Sequence, residues 1–163
     1  FLFRDGSLKT IGYNAYYPLG YGDNTNRYTV KPNDALPALD LGSAFVPVST
    51  SINNLNGCAL SADEEVKCWG HDARGYGDAI ERGYAGNTNL LGDLLPVIDL
   101  GAGETVETIA TSSRMTCAVL SSNEIKCWGF STTGYGDMAP RGDAPGQMGD
   151  HLPYIYLGHV FNS

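Results

Sequence analysis

The sequence predicts an all-β fold built from repeated β-propeller blades, each of four antiparallel strands. Three markers recurring in one order carry that reading. Lys67-Cys68-Trp69-Gly70 returns as Lys126-Cys127-Trp128-Gly129, and an eroded copy stands at Lys9-Thr10-Ile11-Gly12. Gly-Tyr-Gly-Asp occurs at 20–23, 75–78 and 134–137. Leu36-Pro37 with Asp40-Leu41-Gly42, Leu95-Pro96 with Asp99-Leu100-Gly101, and Leu152-Pro153 with Tyr156-Leu157-Gly158 close each period. The period is about 57–59 residues, so the 163-residue chain, read as one unit over 1–163, holds about 2.8 repeats. No helical period of 3.6 competes with this pattern, and four short strands per period suit a propeller.

The elements follow in order. Residues 1–12 form the first hairpin, Phe1-Leu2-Phe3 and Leu8 to Ile11 around Asp5-Gly6. Asp-Gly between apolar strands predicts a type I′ turn, in which both central residues take positive φ. Residues 56–70 and 115–129 form the second and third hairpins, each preceded by a β-rich run, Phe45 to Ser51 or Val106 to Ser112. The Leu-Pro-x-x-x-Leu stretch supplies the fourth strand, with proline at its start. Long loops at 20–36, 75–95 and 134–152 separate hairpin from fourth strand.

The cysteines set a register. Cys58 and Cys68 stand ten apart, as do Cys117 and Cys127. Placing Cys58 opposite Cys68 leaves a three-residue loop and puts the two Cα atoms about 4.5–5.5 Å apart, within disulfide reach. Cross-strand disulfides are the reading this register supports. Free buried thiols are the alternative, and a zinc site is disfavoured because its ligand pairs usually sit two to four residues apart. In the first hairpin Phe1 and Thr10 take the corresponding positions, with one loop residue fewer and no bridge. The register also splits each hairpin into two faces: Cys58, Leu60, Val66 and Cys68 on one, Ala59, Lys67 and Trp69 on the other. Trp69 and Trp128 are therefore expected to pack between blades.

Composition excludes several functions. Ten basic against 18 acidic side chains give a net charge of −8, which opposes a nucleic-acid surface. No apolar run approaches the roughly 18–20 residues of a membrane span, so no membrane insertion is expected. The opening on Phe1 and the incomplete repeat count suggest a piece of a longer chain, or copies that complete one another, since propellers have at least about four blades.

At this point the residues resemble a known family. Cys-Ala-Leu, a short loop, Val-Lys-Cys-Trp-Gly, then Gly-Tyr-Gly-Asp and Leu-Pro-x-x-x-Leu-Gly is similar to the repeat of the regulator of chromosome condensation. The likeness is to the cysteine-bearing version of secreted and surface proteins of bacteria and algae. The stretch Gly134 to Asp137, Arg141-Gly142-Asp143, Pro145-Gly146, Met148-Gly149-Asp150 and Leu152-Pro153 carries it best. The resemblance implies a propeller of usually seven four-stranded blades. The chain departs from the family in lacking Gly-x-x-His-Thr before Cys-Ala-Leu and in shortening its Gly-Gln-Leu-Gly loop. Nothing maps onto the nucleotide-exchange surface of the namesake.

Candidate chemistry is sparse. Asp23, Asp78 and Asp137 recur once per repeat, and a ring of carboxylates there would suit a cation or a basic partner; the stronger reading is that Asp after Gly caps a tight turn by accepting a nearby backbone N–H. His71, His151 and His159 have no nucleophile beside them. Arg141-Gly142-Asp143 reads as an adhesion tripeptide or as part of the repeat. No catalytic residue, metal site or cofactor is expected, and the chain is not expected to be an enzyme. The expected role is an extracellular or cell-surface scaffold whose loops meet protein or glycan partners or further copies of the chain, filaments included. Tyr21, Asp23, Tyr76, Asp78, Tyr135, Asp137, Arg141 and Asp143 are the candidate contact residues. An intracellular regulator of a small GTPase, like the namesake, is the competing reading. Bridged cysteines separate the two, because disulfides persist in oxidising compartments.

Overall fold

The computed structural model describes residues 1–28, 36–71, 74–83, 90–130 and 133–158. Among them the regular elements are strands β1 (Pro47–Ile52), β2 (Asn56–Ser61), β3 (Val66–Gly70), β4 (Val106–Thr111), β5 (Met115–Leu120) and β6 (Ile125–Gly129). Two single-turn 3-10 helices, Gly92–Leu94 and Gly149–His151, complete them. The strands form two antiparallel sheets, β1-β2-β3 and β4-β5-β6. With the hairpin of residues 1–12, joined by a Leu2–Leu8 bridge, they make three successive blades.

Each central hairpin has the register set by its cysteines, with Cys58 opposite Cys68 and Cys117 opposite Cys127. Both pairs are disulfides with Cα atoms 4.1 Å apart. The three hairpin loops share one construction. Gly6, Glu64 and Asn123 each hold a left-handed φ of 81°, 63° and 64° and donate an N–H back to Phe3, Ser61 and Leu120. That is the three-residue loop ending in a left-handed residue. It corrects the type I′ expectation for Asp5-Gly6, since only Gly6 of the pair has positive φ. It also corrects the first hairpin's register. Leu2 pairs with Leu8 and Phe1 exchanges backbone bonds with Lys9, so the loop is as long as the others. Phe1 thus corresponds to Ala59, and the position opposite Thr10 precedes it.

The fourth strand is a second correction. The Leu-Pro-x-x-x-Leu segments are extended but joined to their blades by one backbone bond each: Leu39 to Leu8, Ile98 to Val66 and Ile155 to Ile125, all 2.7 Å. Two residues before each donor stands Pro37, Pro96 or Pro153, which has no N–H to continue the ladder.

The core lies between blades. The bridged face of the second blade (Cys58, Leu60, Val66 and Cys68) packs with Ile98 and Leu100 against Val106, Ala118, Leu120 and Trp128 of the third. Leu8, Leu39 and Leu41 meet Phe45, Ala59, Trp69 and Leu95 in the same way at the first junction. Both indoles enter over a glycine. A Cβ at Gly20 would lie 2.7 Å from Trp69 Nε1, and one at Gly75 2.5 Å from Trp128 Nε1, so only glycine admits the ring. Lysine crosses each junction beside it. Lys67 Nζ donates to the Leu41 carbonyl (2.7 Å) and Lys126 Nζ to the Leu100 carbonyl (2.6 Å), both side chains buried. Desolvation there lowers the Lys67 pKa.

Candidate functional site

The loops expected to carry contacts are built on a unit repeated three times. Gly20 and Gly22, Gly75 and Gly77, and Gly134 and Gly136 all have positive φ and turn the chain around a single tyrosine. That tyrosine points back into its own blade. The hydroxyls of Tyr21, Tyr76 and Tyr135 accept the N–H groups of Thr10 (3.1 Å), Cys68 (2.9 Å) and Cys127 (3.1 Å). Tyr76 donates in turn to the Cys68 carbonyl at 2.8 Å. Tyr135 has the Pro153 carbonyl at 2.8 Å, which ties the fourth segment to the hairpin. Burial pushes the Tyr76 and Tyr135 phenols up, keeping both hydroxyls protonated as donors.

The aspartate that follows is equally committed. Its Oδ1 accepts the N–H two residues on, at Thr25, Ile80 or Ala139. Both oxygens then take a fork from an arginine four residues later. Arg82 Nη1 meets Asp78 Oδ1 at 2.9 Å and Nη2 meets Oδ2 at 2.8 Å; Arg27 with Asp23 and Arg141 with Asp137 repeat this. Each guanidinium also stacks on the preceding tyrosine ring, 4.1, 3.9 and 4.3 Å from the centroids. The arginine hydrogen bond holds each aspartate carboxyl below its usual range. Backbone bonds tie Arg27, Arg82 and Arg141 to Gly12, Gly70 and Gly129, closing the loop onto the end of the hairpin.

The sequence-derived contact residues therefore fall on the inside of their loops. Tyr21, Asp23, Tyr76, Asp78, Tyr135, Asp137 and Arg141 all bond within their own unit. Asp143 pairs with Arg74 at 2.9 Å, and the Gly142 carbonyl accepts Gly75 and Gly77 N–H, so Arg141-Gly142-Asp143 is absorbed into the second junction. His71 meets Glu81 and lies edge-on to Tyr16; His151 is exposed at the end of a 3-10 turn. His159 and parts of the loops 20–36 and 75–95 lie outside the described residues. Among the described residues no cluster of side chains fits a metal ion, and no helix is long and apolar enough to cross a membrane.

Arg27 and Arg82 were missed as partners of the aspartates, although Asp-x-x-x-Arg recurs in all three loops. What the loops offer outward is the span between Asp and Arg. Ile80 and Met138 are exposed at its tip, and Asn24 and Thr25 stand there in the first blade.

No family model matches the chain, and no curated protein matches it significantly. Solved structures do. Human WBSCR16 matches at 15% identity with a TM-score of 0.63, covering 89% of this chain and 34% of that one. Yeast RCC1 (Prp20), solved bound to Kap60, matches at 19% identity and 0.55, covering 92% and 34%. The chain thus has an RCC1-like β-propeller fold and spans about a third of the length of these neighbours.

Proposed function

We propose that the chain is a non-enzymatic, extracellular recognition scaffold whose repeated loop tips meet protein or glycan partners. One observation carries the compartment: both cysteine pairs are cross-strand disulfides, and no free cysteine remains among the described residues. The loop units support the recognition role. Their tyrosine, aspartate and arginine side chains fix one rigid turn per blade, so Asn24-Thr25, Ile80 and Met138 are presented once per blade with little entropy left to lose on binding. A neighbour of the same fold was solved bound to a protein, Kap60, which supports a protein as the partner. The test pairs localisation with binding. The full-length protein is expected outside the cell with oxidised cysteines, and Ile80→Asp with Met138→Asp is expected to cost partner binding tenfold or more while leaving the fold intact. A reduced, cytosolic protein that accelerates nucleotide release from a small GTPase overturns the reading in favour of an exchange factor.

A further inference from the structure

The second and third blades meet over a cleft of about 500 Å³, within the roughly 300–1,000 Å³ usual for small-molecule sites. One wall comes from the second blade: Tyr76 and Arg82 of its loop unit, then Pro96, Val97 and Asp99 of its fourth segment. The other is the third blade's stretch from Pro145 to His151, with Met148 between them. Both repeats that form the cleft are present, and neither chain end takes part in it.

Three polar groups in these walls have bonding capacity that the fold does not use. Arg82 is only 7% exposed and gives both terminal nitrogens to Asp78, yet its Nε–H has no acceptor among the described residues. A buried donor left in that state is costly. Asp99 Oδ1 accepts the Gly101 N–H at 2.9 Å, which leaves Oδ2 without a partner among the described residues. His151 bonds through its backbone to Met148, and its exposed imidazole has no partner there either. The turn does not require that imidazole: one repeat earlier Gly92-Asp93-Leu94 makes the same 3-10 turn with leucine in its place. The three groups make opposite demands. The guanidinium only donates, the ionised carboxylate only accepts, and a neutral imidazole does one at each nitrogen. A cation entering here faces Arg82, and an anion faces Asp99. Neutral hydroxyls donate and accept at once, so they satisfy all three. Pro96, Val97 and Met148 suit the C–H face of a ring that carries such hydroxyls.

We propose that this cleft binds a pyranose residue of a glycan. The ring lies with its C–H face on Pro96, Val97 and Met148. One hydroxyl donates to Asp99 Oδ2, a second meets the His151 imidazole, and an oxygen at the floor gives the Arg82 Nε–H the acceptor it lacks. The proposal rests on the recognition role argued above, but it assigns the glycan to a place of its own, since neither Ile80 nor Met138 lines the cleft.

The probes are the methyl pyranosides of mannose, galactose, glucose and N-acetylglucosamine, each titrated into the intact chain while the Met148 methyl resonance is followed by NMR. Glycerol is the control for unspecific hydroxyl binding. The expected result is saturable shifts with at least one pyranoside and none with glycerol. His151→Leu, which matches the preceding repeat, should weaken binding about fivefold. Asp99→Asn keeps the Gly101 bond through its carbonyl oxygen but turns the free acceptor into a donor, and should weaken binding about tenfold. Val97 is exposed, so Val97→Trp fills the cleft without disturbing the core and should abolish binding. Circular dichroism checks that each variant keeps the fold. Ile80→Asp with Met138→Asp should leave the sugar affinity unchanged, so failure at the loop tips and failure at the cleft are read separately. Absence of shifts with every pyranoside overturns the proposal, as do equal shifts with glycerol. Binding that His151→Leu, Asp99→Asn and Val97→Trp all leave intact overturns it too, and so does binding lost with Ile80→Asp and Met138→Asp.

Discussion

The second and third blades carry nearly the same hairpin in two different settings. Cys58–Cys68 and Cys117–Cys127 share register, sequence separation and a Cα distance of 4.1 Å. The first bridge is 0% exposed, beneath the third blade, with Thr116 Oγ1 3.7 Å from Cys58 Sγ. The second lines an apolar cavity on the open face of the third blade, and Cys117 is only half-buried. The hairpin is therefore made locally, by its loop, register and disulfide, whereas its burial comes from the next repeat. This is the energetics of stacked repeats, in which each unit contributes its own stability plus a nearest-neighbour interface.

The contrast breaks most sharply at the indole that shares the second junction's core with the first bridge. Trp128→Ala is expected to cost about 3–5 kcal/mol, the usual range for a buried aromatic, read from urea unfolding. It should also expose Cys58–Cys68 to reductant; a bridge that stays protected would disconnect the ring from the covering. In the unaltered protein, graded dithiothreitol should open Cys117–Cys127 before Cys58–Cys68, by access. Alkylation and mass spectrometry decide the order, and simultaneous loss would mean that the open face is closed in solution.

Smaller effects sharpen the same comparison within the loops. Asp78→Asn leaves the buried Arg82 guanidinium without its counter-charge and is expected to cost about 1–3 kcal/mol. Asp137→Asn should cost less, because Asp137 is half exposed and water replaces the pair. Both carboxyls titrate lower in the fold than in the unfolded chain. The unfolded chain therefore takes up protons first below about pH 4, and stability is present at neutral pH and falls on acidification. Acid unfolding monitored by circular dichroism should begin at higher pH in Asp78→Asn. The smallest effect is at the hairpin loops. Glu64→Gly relieves a left-handed residue and should raise stability by about 0.5–1 kcal/mol. Asn123→Gly should do less, since asparagine tolerates that region. Equal melting temperatures would show that the loop side chains compensate.

How far the sequence was legible follows from what pins each element. Two cysteines ten apart admit one cross-strand register, and period-two alternation then assigns Cys58 and Trp69 to opposite faces. The first hairpin has no such pin, and its register was read one residue off at Phe1. The fourth strand was legible as an extended segment but not as a nearly unbonded one, although Pro96 and Pro153 carry that information in their missing N–H. The turn-capping role of Asp78 was legible in its place after glycine, whereas the inward bonds of Tyr76 and the arginine fork on Asp78 were not. Their partners, the Cys68 backbone and Arg82, become neighbours only once the loop closes on Gly70. Lys67 was placed on the correct face, but its burial and that of Lys126 depend on carbonyls of the preceding blade, Leu41 and Leu100, which no local pattern specifies.

The buried bridge also sets an order of events in assembly. Thiol oxidation needs an oxidant or an isomerase to reach sulfur, and neither reaches Cys58 or Cys68 once the third blade is seated. Oxidation of the second hairpin therefore precedes docking of the third blade. As the chain emerges from its N-terminus, the second repeat is chemically sealed and then roofed over by its successor. A repeat that docks while its cysteines are still reduced is trapped in that state until the junction reopens, so the oxidation state of the inner bridge is a record of the sequence in which the blades came together.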